Sequence, residues 1–186
     1  MAAEIVLPLA KPAALEFANE DQLLAACRRG ELRAFEHLFH EHAPRLKSIA
    51  LQMLGNRPDA EDAVQEAFLK ACRGIRGFQG HSSAGTWLCR ILINTCYDLL
   101  RSRPRHPAGD SPPQPMGERP SLPMRLALRD AVERLNPNHR MVFRLHEVEG
   151  YRHGEIASIL QIPEGTSKAW LFEAKRELKR MLGEAR

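Results

Sequence analysis

The sequence has no apolar run approaching the roughly 18–20 residues needed to cross a bilayer, so no transmembrane helix or membrane insertion is expected. Residues 1–18 lack a basic start and interrupt their apolar stretch with Pro8, Lys11 and Pro12, a poor secretory signal. A cytoplasmic location is the expectation. Cysteine is sparse. Cys27, Cys72, Cys89 and Cys96 form no Cys-x-x-Cys pair and sit in apolar helical patterns. That argues against a disulfide scaffold or zinc ribbon and for small buried thiols. Alternating strand patterns, Asn-Gly or Asp-Gly hairpin signals and internal repeats are all missing, so an all-α fold is expected. An excess of one charge is missing too: 27 Lys+Arg face 23 Asp+Glu, a net charge of +4. Residues 20–103 carry 12 basic and 10 acidic side chains, and residues 125–186 carry 12 and 9. A stand-alone duplex binder usually has a stronger basic patch, because neutralised phosphates supply most non-specific affinity. Any nucleic-acid role here is expected to need a second protein.

What is present is a chain of 186 residues, 44% hydrophobic and 27% charged, fit to form a soluble core. Seven of its 13 prolines lie between Pro104 and Pro123. Residues 104–123 therefore read as a semi-extended linker between two helical domains, 20–103 and 124–186, with residues 1–19 a disordered extension. In the first domain, Ala60, Ala63, Val64, Ala67, Phe68, Ala71 and Ile75 recur at helical steps, as do Trp87, Leu88, Ile91, Leu92, Thr95, Cys96, Leu99 and Leu100. Pro58 suits a first helical turn, and Ser82 or Ser83 can cap the later helix. Residues 21–29 and 31–54 read as two more helices, the second interrupted near Pro44. After the linker, helices are expected over 124–135, 138–148, 152–160 and 165–182.

The last two form a helix-turn-helix pattern around Ile162-Pro163-Glu164-Gly165-Thr166. Leu171, Ala174, Leu178 and Leu182 make the inward stripe of the final helix. Lys168, Ala169, Phe172, Lys175, Arg176 and Lys179 take another face, suited to a major groove. In the first domain, Asp59, Glu61, Asp62, Gln65 and Glu66 mark an acidic helix. Phe78-Gln79-Gly80 and a polar loop follow it, and Thr86-Trp87-Leu88 leads on to Ile93-Asn94-Thr95.

In this order, with Leu135-Asn136-Pro137 before Arg140-x-Val142-Phe143, these motifs resemble the bacterial RNA polymerase sigma factors of the extracytoplasmic-function group, sigma-70 family. The likeness covers residues 20–103 and 124–183. It implies a non-enzymatic initiation factor without cofactor or metal, whose partners are core RNA polymerase, promoter DNA and an anti-sigma factor. By matching position, Asp59, Glu61, Asp62, Gln65 and Glu66 would dock on the polymerase. Phe78, His81, Ser82, Ser83, Trp87, Arg90, Asn94, Arg101 and Arg103 would meet the minus-ten element, with Trp87 divided between core packing and strand contact. A base is read there only when unstacked, and an Asn amide offers donor and acceptor together. Arg152, Thr166, Lys168, Ala169, Phe172, Lys175 and Arg176 would meet the minus-thirty-five element. The chain departs from the family at Ala84-Gly85, where a bulky or basic pair is usual, and at Ser167, Trp170 and Glu173 in the last helix.

Three other readings are weaker. Gly80-His81-Ser82-Ser83-Ala84 is half a nucleophile elbow without its buried strand. His37 and Glu41 share metal-ligand spacing, but no third ligand accompanies them, so His37, His40 and His42 read as surface histidines. A helix-turn-helix regulator acting without polymerase is the alternative. Such proteins usually dimerise on paired half-sites, and no dimer helix or ligand pocket is evident.

Overall fold

The computed structural model describes residues 17–102 and 123–183, with side chains of 123–126 left aside. Arg103, most of the proline-rich stretch and most of the N-terminal extension lie outside the described residues. Among the described residues every regular element is helical. They fall into two compact units, one on each side of the proline-rich stretch.

The first unit holds α1 (Glu20–Arg29), α2 (Leu32–Leu54), α3 (Arg57–Gly74), a short turn at Ile75–Gly77 and α4 (Ala84–Ser102). Asn19 opens α1 by accepting from the Gln22 N–H at 2.9 Å, and Gly30 closes it with φ 83°. Left-handed backbone of that kind suits glycine. Asn56 opens α3: its side-chain oxygen accepts from the Asp59 N–H at 2.9 Å, and its amide donates to the Asp59 carboxylate at 2.8 Å. Ser83 opens α4 by accepting from the Thr86 N–H at 3.2 Å. The expected stripe of α3 faces inward, and that of α4 does so from Trp87 to Cys96, joined by buried Ile93, but Leu100 at its end is 38% exposed; Leu38 and Leu46 of α2 lie in the core against these helices.

Two expectations need correction. Pro44 does not interrupt α2, which runs unbroken to Leu54. An interior proline costs one backbone hydrogen bond and about 3 kcal/mol. Here buried Ala34 and Leu38 precede it, and Ala43, Leu46, Ile49 and Ala50 flank and follow it, so packing holds the helix on both sides. Cys72 is exposed, whereas Cys27, Cys89 and Cys96 are buried. It follows buried Ala71 and falls off the inward stripe of α3.

The second unit holds α5 (Pro123–Glu133), α6 (Pro137–Phe143) with a wider turn at Arg144–Val148, α7 (His153–Leu160) and α8 (Glu164–Gly183). The expected helix 138–148 is thus α6 continued by one widened turn. Glu133 takes ion pairs from Arg140, at 3.1 Å, and from Arg144, fastening α5 to α6. Ala131, Leu135, Ala174 and Leu178 pack together, so α8 is the spine of the unit.

Candidate promoter and polymerase interfaces

On α3 the acidic residues divide. Asp59 is engaged with Asn56 at the helix start. Glu61 pairs with Arg57 at 3.0 Å and lies 4.0 Å from Lys47 of α2. Asp62 and Gln65 are exposed and Glu66 half-buried, and Leu69, one turn on, is 44% exposed. These four share one face at helical spacing. Leu69 was not singled out from sequence. Its signal was an apolar residue standing off the inward stripe.

Between α3 and α4 lies a cleft of about 370 Å³ lined by Lys70, Gly74, Gly77, Phe78, Trp87, Ile91 and Asn94. Phe78 and Trp87 stack with centroids 4.7 Å apart and an interplanar angle of 28°. Both are 8% exposed, so they wall the cleft rather than project from it. For Trp87 this is the core-packing role with one face on the cleft. Asn94 is exposed at the rim. Lys70 donates to Thr95 Oγ1 at 3.1 Å and lies 3.8 Å from Asp98, bringing a cation to the same rim. Sequence reading passed it over, because only a contact from α3 to α4 reveals it.

The structure gathers Phe78, Trp87 and Asn94 around the cleft but not His81, Ser82 or Ser83. His81 Nε2 is 2.9 Å from Gln79 Oε1, and Ser83 is engaged in capping α4. Arg90 is half-buried, one turn from Trp87 on α4. Exposed Arg101 pairs with Asp98 at 2.6 Å.

In the second unit the turn from α7 to α8 depends on Gln161, which adopts left-handed backbone with φ 55° and donates its N–H to the Ala157 carbonyl. His153 Nδ1 lies 2.9 Å from Ser167 Oγ, tying the start of α7 to buried Ser167 of α8. The departure at Ser167 is thus an interior hydrogen bond, away from any groove. Trp170 is half-buried near His139, with ring centroids 6.4 Å apart. Glu173 pairs with Arg176 at 2.5 Å, so its charge is compensated within α8. Lys168, Ala169, Phe172, Lys175 and Arg176 are exposed on α8, Phe172 by 65%. Thr166 is half-buried, and Arg152 is exposed just before α7. Lys168 pairs with Glu164 at 2.7 Å, and Lys175 with Glu147 at 2.8 Å. The Lys175 hydrogen bond holds the Glu147 carboxyl below its ordinary range. Among the described residues no three His, Cys, Asp or Glu side chains are grouped to hold a metal ion. His37 instead lies 3.9 Å from Glu41 and packs edge-on to Phe17.

A family model described as Sigma-70 region 2 matches residues 38–106, and one described as Sigma-70, region 4 matches residues 125–178. The ECF RNA polymerase sigma factor SigM of Mycobacterium tuberculosis is 32% identical over 89% of this chain and 85% of its own length. The chain belongs to the extracytoplasmic-function sigma factors of the sigma-70 family. The RNA polymerase sigma-H factor of Pseudomonas aeruginosa is 30% identical over 88% of this chain and 94% of its own. Among solved structures, CnrH in complex with the cytosolic domain of CnrY superposes with a TM-score of 0.69 at 24% identity, over 90% of this chain and 99% of that one. The sigma factor RpoE of Bartonella quintana, in complex with the anti-sigma factor NepR, gives 0.63 at 23%, over 83% and 100%. As a sigma factor the protein directs core RNA polymerase to promoters, and its family consists of non-enzymatic initiation factors. The match to region 2 disfavours a regulator working without polymerase. Among the described residues no helix is long and apolar enough to cross a membrane.

Proposed function

We propose that the α3 face of Asp62, Gln65, Glu66 and Leu69 is the polymerase-docking surface, with Asp59 and Glu61 shaping its start. Carboxylates steer the approach to a basic partner, and Leu69 supplies apolar area at the centre. The cleft between α3 and α4 takes one base unstacked from the minus-ten element. The observation that carries this reading is the joint placement of the Asn94 amide, the Phe78–Trp87 wall and Lys70 around one cleft. Its volume, about 370 Å³, falls in the range of about 300–1,000 Å³ usual for ligand clefts. Asn94 would read the base edge, Lys70 and Arg90 would attract the strand, and Arg101 and Arg103 would meet phosphates farther along.

In the second unit α8 enters the major groove of the minus-thirty-five duplex. Lys168, Lys175 and Arg176 exchange their carboxylate partners for phosphates, while Phe172 and Ala169 offer apolar contact to thymine methyl groups. Arg152 and Thr166 approach from the start of the motif. The domain bounds that fit are 20–103 and 124–186, joined by 104–123 after an extension of 1–19. The protein acts in the cytoplasm, under the control of an anti-sigma factor that covers the docking face. RpoE of Bartonella quintana, which shares this fold, was captured with the anti-sigma factor NepR, and that supports the partner class.

Replacing Asn94 by Ala tests the reading. Promoter opening with core polymerase should fall about tenfold or more, the cost of one buried polar recognition pair. Affinity for core polymerase should be unchanged. Parallel loss of both would make Asn94 a structural residue.

A further inference from the structure

Helix α1 carries none of the residues assigned above, yet both of its ends reach the loop that leads into α4. Glu20, at its first residue, accepts from the Ala84 N–H through Oε1 at 2.5 Å, across 64 positions of sequence. Arg28, near its end, donates from Nη2 to the Phe78 carbonyl at 2.8 Å, across 50 positions. Eight residue steps along the helix separate the two, about 12 Å at about 1.5 Å per step. A rigid rod therefore fixes where the loop leaves Phe78 and where it re-enters helix at Ala84.

The unusual pair Ala84-Gly85 fits this arrangement. Ala84 is fully buried. A Cβ added to Gly85 would stand 3.3 Å from His42 Cε1 and 3.4 Å from His42 Nδ1. Larger residues there would push away His42, whose ring feels the Glu20 charge. The glutamate occupies the positive end of α4, where a carboxylate is favoured, and satisfies a backbone donor that Ser83 leaves open. Burial lowers the His42 imidazole below its ordinary value, while Glu41 and Glu20 act in the opposite direction.

We propose that Glu20 and Arg28 are positioning residues for promoter reading: α1 clamps both ends of the loop 78–84 and thereby sets the aim of Phe78 into the cleft. This rests on the reading of that cleft as the base-capture site. Two long-range hydrogen bonds, each involving a charged group, hold the two ends of the segment. Releasing either end frees Phe78 to slide from its stack on Trp87, which widens the cleft and blurs the choice of base.

The test uses the full chain with core polymerase and a promoter found by run-off transcription, on fork templates carrying each of the four bases at each minus-ten position. Glu20→Ala and Arg28→Ala should lower opening about tenfold, the effect of one charge-assisted hydrogen bond. Both should flatten the preference among bases and leave affinity for core unchanged. Glu20→Gln, which keeps an acceptor, and Arg28→Lys, which keeps a donor, should restore most of the preference. Unaltered base preference in both alanine variants, or a matching fall in core affinity, overturns the proposal. Should an alanine variant melt below the assay temperature, Gly85→Ala replaces it. That variant should flatten the preference while remaining folded, and native selectivity in it refutes the clamp. Asn94→Ala runs alongside. If it impairs opening and the clamp variants do not, only the clamp is refuted. If it too leaves opening and selectivity intact, the base-capture reading fails and the clamp falls with it.

Discussion

Replacing Trp87 by Ala separates a residue that builds the cleft from one that touches DNA. The indole is 8% exposed and stacked on Phe78, and its Cζ2 lies 3.8 Å from the position a Cβ would take on Gly74. A tryptophan buries about 150–250 Å², which at about 25 cal/mol per Å² gives roughly 4–6 kcal/mol as an upper bound. Measured truncations of buried aromatics cost about 3–5 kcal/mol. That is a large share of the roughly 5–15 kcal/mol that holds a domain together. Urea unfolding of the first unit in the full chain, followed by circular dichroism, should register this loss. Trp87→Phe keeps a ring against Phe78 and should lose no more than about half as much. Polymerase docking should then decline in Trp87→Ala in step with the folded fraction, and promoter opening at least as far, because Phe78 loses the ring it stacks on. A Trp87→Ala protein within about 1 kcal/mol of the parent that docks normally and fails to open promoters would refute the reasoning, because the indole would then act on the strand.

Other outcomes follow from particular residues. Gln161→Gly relieves left-handed backbone at φ 55°. It should stabilise the second unit by about 0.5–1 kcal/mol after allowing for glycine's greater freedom when unfolded, a rise of a few degrees in its melting transition. His42 has a folded-state pKa below its ordinary 6.5, first because of burial. Its contribution to stability is therefore present above about pH 6.5 and lost as the pH falls through the folded-state value. The stability lost between pH 7 and pH 5 should be smaller in His42→Asn than in the parent. Burial raises the Cys27 thiol to about 11 and the Cys96 thiol to about 12 and also raises Cys72, but of the four thiols only Cys72 is exposed to a reagent. Native protein should show one rapidly modified thiol, absent in Cys72→Ser.

What could be read in advance was what local spacing controls. The stripes from Ala60 to Ile75 and from Trp87 to Leu100 located α3 and α4, since burial of one face repeats every three or four residues. Ser83 was legible as a cap for the same reason: its partner is three residues away. The Asn56 cap of α3 was equally local and was overlooked in favour of Pro58. Pro44 misled because its local cost is offset by tertiary packing on both sides. Cys72 misled because apolar neighbours do not establish that a side chain faces inward. Of the residues the resemblance named for base capture, Phe78 and Asn94 line one cleft, with Trp87 stacked on Phe78, while the loop residues His81 and Ser83 make local hydrogen bonds. Lys70, Glu20 and Arg28 lay beyond reach, because their partners are 25, 64 and 50 residues away. The compensation of Glu173 by Arg176 was legible in principle from their i, i+3 spacing.

The most direct measurement is run-off transcription with purified core RNA polymerase on a library of genomic fragments, with and without the full chain free of any inhibitor. A small set of discrete start sites that appear only when the protein is added, and that share two upstream elements, is the predicted result. Core polymerase that initiates no differently in the presence of the folded protein would contradict the account.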